Sequence, residues 1–216
     1  MSKSEPEALA GWRERLRRSL TDEGDASHDA HHCDRVWASC LRIAEEETSA
    51  ADRLVLLAAA YLHDVVSPPK DSPLRARASA LAAEEAGRRL EGMGFPSQKL
   101  PGVHHAIEAH SFSAGIAPET DEARILQDAD RLEALGAIGL ARVFYTAGRL
   151  GRRLFDPDDP LAERRPLDDG RFAVDHFREK LLKLPAQMNT RAGARLARER
   201  AVILERYLDD LVDELR

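Results

Sequence analysis

A chain of 216 residues with 43% hydrophobic and 32% charged residues is long and apolar enough to bury a sizeable core, so a disordered chain is not expected. The formal net charge of −6 argues against non-specific binding to nucleic acid or acidic membranes. Neither an apolar run of about 20 residues nor an apolar signal core occurs, so no membrane-spanning helix or secretion signal is expected.

Apolar residues recur with the helical period along the chain, and the alternation typical of strands is scarce. Nine helices are predicted, over residues 6–20, 28–48, 51–66, 74–92, 97–110, 120–134, 136–149, 172–184 and 191–215. Asp52, preceded by Thr48 and Ser49, is expected to cap the third helix, and Asn189–Thr190 can cap the last. One all-α domain is the economical interpretation.

One stretch interrupts this pattern. Residues 151–171 read GRRLFDPDDPLAERRPLDDGR, with three prolines and many acidic residues. A segment of this length and composition between helices is typical of a long surface loop or a lid.

The two cysteines are Cys33 and Cys40. They lie seven residues apart on one predicted helix, so about 10 Å separates them, which is too far for a disulfide. This cysteine usage indicates a reduced, cytoplasmic setting.

Histidines and aspartates recur at places that otherwise look buried. His63 and Asp64 end the apolar stretch LAAAYLHDVV, and Asp130 lies between apolar residues of a predicted helix. A histidine on a helix is more often a surface or hydrogen-bonded residue, Asp64 could simply end its helix, and Asp130 could pair with Arg131. A buried carboxylate requires a partner, however, and a cation is the simplest partner common to these residues.

Helical spacing limits which residues can share a site. Asp128 and Asp130 point about 200° apart, so one of the two is expected to reach a given site. His63 and Asp64 are about 100° apart, so both can bind one ion only when it lies close to the backbone. His105 and His110 do not share a helix face well.

The ordered set His32, His63–Asp64, Asp130 resembles the H…HD…D pattern of the HD superfamily of metal-dependent phosphohydrolases. The surrounding blocks are similar to those of small, stand-alone bacterial HD-domain hydrolases, and they read SHDAHHCDRV, LHDVVSPPK, HHAIEAHSFSAG, QDADRLEALGAIGLARVFY and DHFREKLLKLPAQMNT. The resemblance implies a single-domain helical bundle over residues 1–216, with a metal-binding core at about 26–135 and C-terminal helices at about 172–215 that pack over the site.

The same resemblance implies that His32, His63, Asp64 and Asp130 hold one divalent cation, often Mn²⁺ or Mg²⁺. A mixed nitrogen and oxygen donor set also suits Fe²⁺, Co²⁺, Ni²⁺ or Zn²⁺, whereas histidine is a poor ligand for Mg²⁺. A second metal ion is not expected. His63 and Asp64 are the expected catalytic residues, because a carboxylate beside the ion can orient or deprotonate the attacking water.

Phosphate contacts are expected from cations near these blocks. The candidates are Arg35, Lys70 and Lys180, although a solvated helix face is the simpler interpretation of any one cation. His105 and His110 lie where some relatives place ligands for a second metal or contacts to phosphate. These five residues are the predicted substrate-binding set.

The predicted function is a metal-dependent phosphohydrolase that attacks a phosphate ester or anhydride of a small metabolite with a water activated by the metal. The resemblance implies a nucleotide substrate and includes cleavage of a nucleoside triphosphate to a monophosphate and pyrophosphate. Two alternatives stay open: a catalytically inactive, nucleotide-binding regulatory module, and a cyclic-nucleotide phosphodiesterase. The sequence does not fix the oligomeric state.

Overall fold

The computed structural model describes residues 7–20, 30–47, 50–66, 68, 74, 77–111 and 114–216. Over these residues the chain is helical, and its one extended pairing is an isolated bridge between Arg153 and Phe172. The predicted all-α fold is therefore confirmed. The helices are α1 (Glu7–Ser19), α2 (Ala30–Glu47), α3 (Arg53–Leu62), α4 (Ala78–Gly92), α5 (Leu100–His110), α6 (Asp121–Leu132), α7 (Gly136–Arg149), α8 (Asp175–Glu179) and α9 (Arg191–Glu214).

In the described part of the chain, the 3₁₀ segments Ser97–Lys99 and Leu181–Gln187 accompany these helices. The chain divides into two compact units, residues 1–130 and 131–216. The single domain over residues 1–216 remains a prediction.

Helix α3 lies at the centre of the first unit. Every residue from Val55 to Leu62 is buried, as expected for a helix that is apolar on all sides. It packs against α1, α2, α4 and α5. His63 and Asp64 therefore directly follow a helix that is buried inside this unit.

The start of α3 matches the prediction, and its end does not. Asp52 is the N-cap, and its Oδ1 accepts hydrogen bonds from the backbone N–H groups of Leu54 and Val55 at 3.0 and 3.2 Å. Thr48 and Ser49 lie outside the described residues. The helix ends at Leu62 rather than residue 66, because the chain turns there and Val65 N–H donates to the Leu62 carbonyl.

The predicted helix over 172–184 is wrong as a single element. The backbone N–H groups of Ala173 and Val174 donate to the carbonyls of Arg153 and Leu154, so these residues are bound to the preceding loop. Only Asp175–Glu179 is α-helical, and the 3₁₀ segment that follows contains Pro185, which lacks the N–H an α-helix needs. The other helix boundaries agree with prediction to within about four residues.

In the second unit, α7 packs against α9, and α9 packs against the 3₁₀ segment. The rings of Phe144, Phe177 and Tyr207 contact one another with centroids 5.5 to 6.1 Å apart. Thr190 caps α9 as expected, since its Oγ1 accepts the Gly193 N–H at 2.9 Å.

The 151–171 loop is irregular, as predicted, and it is pinned to the start of α8. Arg165 binds the buried carboxylate of Asp175 in a bidentate manner, at 2.5 and 2.8 Å. Asp175 also accepts the Asp168 N–H at 2.7 Å, and the Arg165 guanidinium lies 4.5 Å from the centre of the Phe172 ring. A bidentate ion pair to a buried carboxylate therefore fixes the middle of the loop.

Two further expectations concern cysteines and membranes. Cys33 and Cys40 are both free thiols and both buried. None of the described helices is long and apolar enough to span a bilayer.

Candidate metal centre

Three of the four predicted ligands converge inside the first unit. The Nε2 atoms of His32 and His63 are 3.3 Å apart. Asp130 Oδ1 lies 3.6 Å from His32 Nε2 and 3.7 Å from His63 Nε2. The fourth residue, Asp64, places Oδ2 3.6 Å from His63 Nε2. Both histidines are fully buried, whereas the side chains of Asp64 and Asp130 keep 27% and 31% exposure, so solvent reaches the cluster at its carboxylates.

Helix ends position most of this cluster. His63 is the C-cap of α3, and Asp130 lies two residues before the end of α6. His32 comes from the first turn of α2. The carboxyl end of a helix carries a partial negative charge, so the ends of α3 and α6 add to the negative potential of the two carboxylates.

Backbone carbonyls fix the direction in which two imidazoles face. His63 Nδ1 is 3.0 Å from the Ala60 carbonyl, and His110 Nδ1 is 2.6 Å from the Ile107 carbonyl. A carbonyl only accepts hydrogen bonds, so each Nδ1 carries the proton and donates it. Each Nε2 is therefore left to face the cluster, which is the tautomer that metal-binding histidines use.

His110 joins the cluster from the last position of α5. Its Nε2 lies 3.6 Å from Asp64 Oδ1, and its ring centre lies 5.0 Å from that of His63. The donor atoms thus form two overlapping sets, His32–His63–Asp130 and His63–Asp64–His110, and within each set all atoms lie within 4.8 Å of one another. His63 offers a single Nε2, so the two sets cannot each use it for a separate ion.

The carboxylates strongly favour positive charge at this place. Burial lowers the pKa of His63, but the charges of Asp64 and Asp130 outweigh it and raise the pKa to about 9. Burial likewise raises the pKa of Asp130, but hydrogen bonding and charge from His63 hold it well below its ordinary value.

The donor set fits a divalent cation. Two sets of three nitrogen and oxygen donors share His63 Nε2, where the surrounding charges already favour a proton. A mixed nitrogen and oxygen set of this kind suits first-row transition ions such as Mn²⁺, Fe²⁺, Co²⁺, Ni²⁺ or Zn²⁺. The structure thus provides groups that could hold a metal ion, and a single ion remains the prediction.

Helical spacing predicts that Asp128 and Asp130 point apart, and that His105 and His110 do not share a helix face well. In the structure, one residue of each pair lies in the cluster and the other does not. Asp130 reaches the cluster, whereas Asp128 is fully buried and belongs to neither donor set. His105 lies apart from His110, because its Nε2 accepts the Glu119 N–H at 3.0 Å. Placing His105 in a phosphate site stays a prediction.

The predicted phosphate contacts have different locations. Arg35 is half-buried on α2, about one turn beyond His32. Lys70 lies outside the described residues. Lys180 is an exposed residue of the second unit, directly after α8. Their roles in substrate binding stay predictions.

Sequence reasoning missed one buried residue beside the cluster. The Gln127 side chain donates from Nε2 to the Ala109 carbonyl at 2.6 Å, which joins α6 to the end of α5. Ala109 immediately precedes His110, and Gln127 lies three residues before Asp130. A glutamine in an apolar helical segment is the only local signal that could have indicated this contact.

Comparisons with known proteins agree with this geometry. The family model for the HD domain matches residues 29–135, a segment that contains every residue of the cluster. The Bacillus subtilis (strain 168) protein YpgQ is 32% identical over 200 residues, which cover 91% of this chain and 88% of YpgQ. The chain belongs to the HD-domain superfamily.

Two solved structures extend the comparison over nearly the whole chain. The crystal structure of Bacillus subtilis YpgQ in complex with ADP is similar with a TM-score of 0.72 and 31% identity, covering 94% of this chain and 97% of that one. A Bacillus thuringiensis HD-superfamily hydrolase has a TM-score of 0.71 and 29% identity, covering 95% and 97%.

Proposed function

We propose that this protein is a metal-dependent phosphohydrolase that acts on a nucleotide. The convergence of His32, His63 and Asp130, with Asp64 meeting the same His63 Nε2, is the observation that carries the proposal. Membership of a superfamily that includes hydrolases supports the reaction class, and the complex of the similar YpgQ with ADP supports a nucleotide as ligand.

The proposed reaction is hydrolysis of a nucleoside triphosphate. The oxygen of a water molecule attacks the α-phosphorus, the bond from that phosphorus to the bridging oxygen breaks, and pyrophosphate leaves with the bonding electrons. A divalent ion, when bound, supplies a Lewis acid that polarises the phosphoryl oxygen and lowers the pKa of water.

The residues of the chain have distinct proposed roles. His32, His63 and Asp130 hold the ion through Nε2 and carboxylate oxygens. Asp64 presents Oδ2 to the same centre and Oδ1 toward His110, and it keeps 27% exposure. We therefore assign Asp64 to orient the attacking water and to accept its proton. Arg35, one turn beyond His32, is the proposed cation for a phosphate oxygen in this unit.

Turnover across a substrate panel tests the proposal. The purified protein is incubated with Mn²⁺ and nucleoside mono-, di-, tri- and cyclic phosphates, and products are identified by ³¹P NMR. We expect the triphosphate to yield monophosphate and pyrophosphate. Opening of a cyclic phosphate alone would favour the phosphodiesterase, and nucleotide binding without turnover would favour the inactive module.

Matched histidine variants link turnover to the cluster. His63→Gln removes one Nε2 donor, and we expect it to abolish both Mn²⁺ binding and hydrolysis. His104→Gln is the control, because His104 is 44% exposed and pairs with Glu108 on α5. An Asp64→Asn protein that keeps its metal and its full turnover would contradict the role of Asp64.

A further inference from the structure

The starts of α3, α5 and α6 are joined by one polar cluster far from the metal centre. The Asp52 carboxylate caps α3 through Oδ1, and its Oδ2 forms an ion pair with Lys99, the residue before α5. The Asp52 backbone N–H donates to Glu122 Oε1, on the first turn of α6, at 2.6 Å. We call Asp52, Lys99 and Glu122 the Asp52 clamp.

The same three helices end at the metal centre. His63 follows α3, His110 ends α5, and Asp130 lies in the last turn of α6. The interval from Asp52 to His63 and that from Lys99 to His110 are both about three helical turns, or about 16 Å. Helices α3 and α5 pack against each other and, because they meet at both ends, run in the same direction between the clamp and the cluster. Helix α6 is tied to them at its start through Glu122 and, near its end, to α5 through Gln127.

This arrangement makes the axial position of each helix critical. A shift of one helix by a single residue moves its ligand by about 1.5 Å, whereas metal–ligand distances tolerate only about 0.2 Å. The packing surface of α3 includes three consecutive small side chains, Ala58, Ala59 and Ala60, as well as larger ones. Directional hydrogen bonds at the starts of the helices add a constraint on their register to that packing.

Close packing at the same end supports this role. Gly102, in the first turn of α5, lies beside α3, and a Cβ added there would make ordinary van der Waals contact with Val55, 3.4 Å from a γ carbon. The clamp therefore acts on two helices, α3 and α5, that are already in contact. At the other end, Gln127 joins α6 to α5, but its hydrogen bond to Ala109 does not include α3.

We propose that the Asp52 clamp is a positioning device that sets the register of α3, α5 and α6 and thereby the spacing of His63, His110 and Asp130. The inference deepens the proposed function and rests on metal binding at the cluster. The Asp52–Lys99 ion pair is partly exposed, with 33% and 28% of the side chains accessible, so its effect on global stability is small and its role is geometric.

Mn²⁺ affinity of clamp variants, measured by calorimetry on the full chain, tests this role. Glu122→Ala removes the acceptor of the Asp52 N–H, and Lys99→Met removes the ion pair while keeping an apolar stem. We expect each to weaken Mn²⁺ binding by about tenfold, the lower end of the range for residues that support metal ligands. Glu122→Gln keeps an acceptor oxygen and should bind Mn²⁺ to within about twofold of the wild type.

Asp121→Ala is the matched control, because Asp121 is 45% exposed and pairs with Arg124 on the same helix. A lower melting temperature for Glu122→Ala with unchanged Mn²⁺ affinity would overturn the inference, since that is the signature of a purely structural contact. Should Glu122→Ala fail to fold, the affinity of Lys99→Met decides.

Failure of the proposed function is distinguishable from failure of the clamp. If the wild-type chain binds no Mn²⁺, the proposed function is contradicted, and register is then measured by the imidazole NMR shifts of His63 and His110 without metal. We expect those shifts to change in Lys99→Met and Glu122→Ala but not in Asp121→Ala. Unchanged shifts in both clamp variants would overturn the clamp independently of any metal.

Discussion

The Nε2 atoms of His32 and His63 face each other at 3.3 Å in a fully buried setting. The Ala60 carbonyl accepts from His63 Nδ1, so the inward Nε2 is the nitrogen that takes up a second proton or, once that proton is released, binds an ion. Two carboxylates flank the pair, from Asp64 and Asp130. A proton or a metal ion placed between these ring nitrogens and carboxylate oxygens relieves the repulsion among them.

Removal of the inward nitrogen of His32 is expected to weaken Mn²⁺ binding. His32→Gln removes one donor of the His32–His63–Asp130 set, and we expect Mn²⁺ affinity to fall by more than about 100-fold, beyond the range for residues that only support ligands. Equilibrium dialysis with metal analysis measures the loss. His31→Gln is a close control, because His31 is an exposed neighbour on α2; equal losses in both variants would refute a specific role for His32.

Stability of the metal-free protein is expected to depend on pH through His63. Its pKa rises from 6.5 to about 9 in the folded state, so its stabilising contribution is complete below about pH 6.5 and is lost as pH rises toward 9. The free energy of unfolding should fall by about 3 kcal/mol over this interval. Urea unfolding in EDTA measures the decrease, which His63→Gln should abolish; a flat profile in the wild type would contradict the assignment.

The affinity for Mn²⁺ should show the opposite dependence on pH between about pH 6.5 and 9. Because a ligand histidine must release its proton, Mn²⁺ affinity is expected to rise from pH 6.5 toward pH 9, with proton release on binding. Calorimetry in buffers of different ionisation enthalpy counts the released protons. Binding without proton release at about pH 7 would show that His63 does not carry the proton in the metal-free protein.

Tyr61 is expected to stabilise the first unit through its hydroxyl. It donates to Asp34 and accepts from Arg13 Nε at 3.0 Å, which joins α3 to α2 and α1. Burial and the hydrogen bond to Asp34 raise the pKa of Tyr61 to about 12, so the donated proton is retained. Tyr61→Phe should lower the free energy of unfolding by about 1–2 kcal/mol, measured by urea denaturation. The exposed Tyr145→Phe should leave it unchanged.

Arg165 is expected to hold the 151–171 loop in place. Arg165→Ala leaves the buried Asp175 carboxylate without its bidentate partner, which should cost about 3–5 kcal/mol and expose the loop to chymotrypsin. Arg164→Ala serves as the control, since Arg164 donates only to the Asp158 carbonyl through its side chain. If ADP and Mn²⁺ leave the cleavage rate of the wild-type loop unchanged, that result would count against a lid.

Local sequence is sufficient to predict most of the helices. The apolar period indicates their number and approximate bounds, and the caps Asp52 and Thr190 are visible as polar residues before apolar runs. The single helix predicted over 172–184 is wrong because the backbone N–H groups of Ala173 and Val174 donate to carbonyls more than fifteen positions away, those of Arg153 and Leu154. No local propensity reports a contact of that range.

The candidate site is predictable in kind but not in full. The order of His32, His63–Asp64 and Asp130 along the chain, together with the family resemblance, is enough to indicate a metal site. His110 is expected from the sequence only as a substrate or second-metal contact, and the fold brings it to Asp64 by ending α5 at that point. The sequence does not predict that Gln127 and the Asp52 clamp connect helices. Gln127 binds a backbone carbonyl, and Asp52 binds side chains that are distant in sequence.

The sequence by itself determined most of the helices and which residues have the chemistry of a metal ligand, since both depend on side-chain type and short-range spacing. Only the tertiary structure decided which nitrogen of each histidine faces inward, which carboxylate oxygen each one meets, and how three helix ends are held in register. Those properties depend on hydrogen bonds between residues far apart in the chain, whose distances are set when the helices pack against one another.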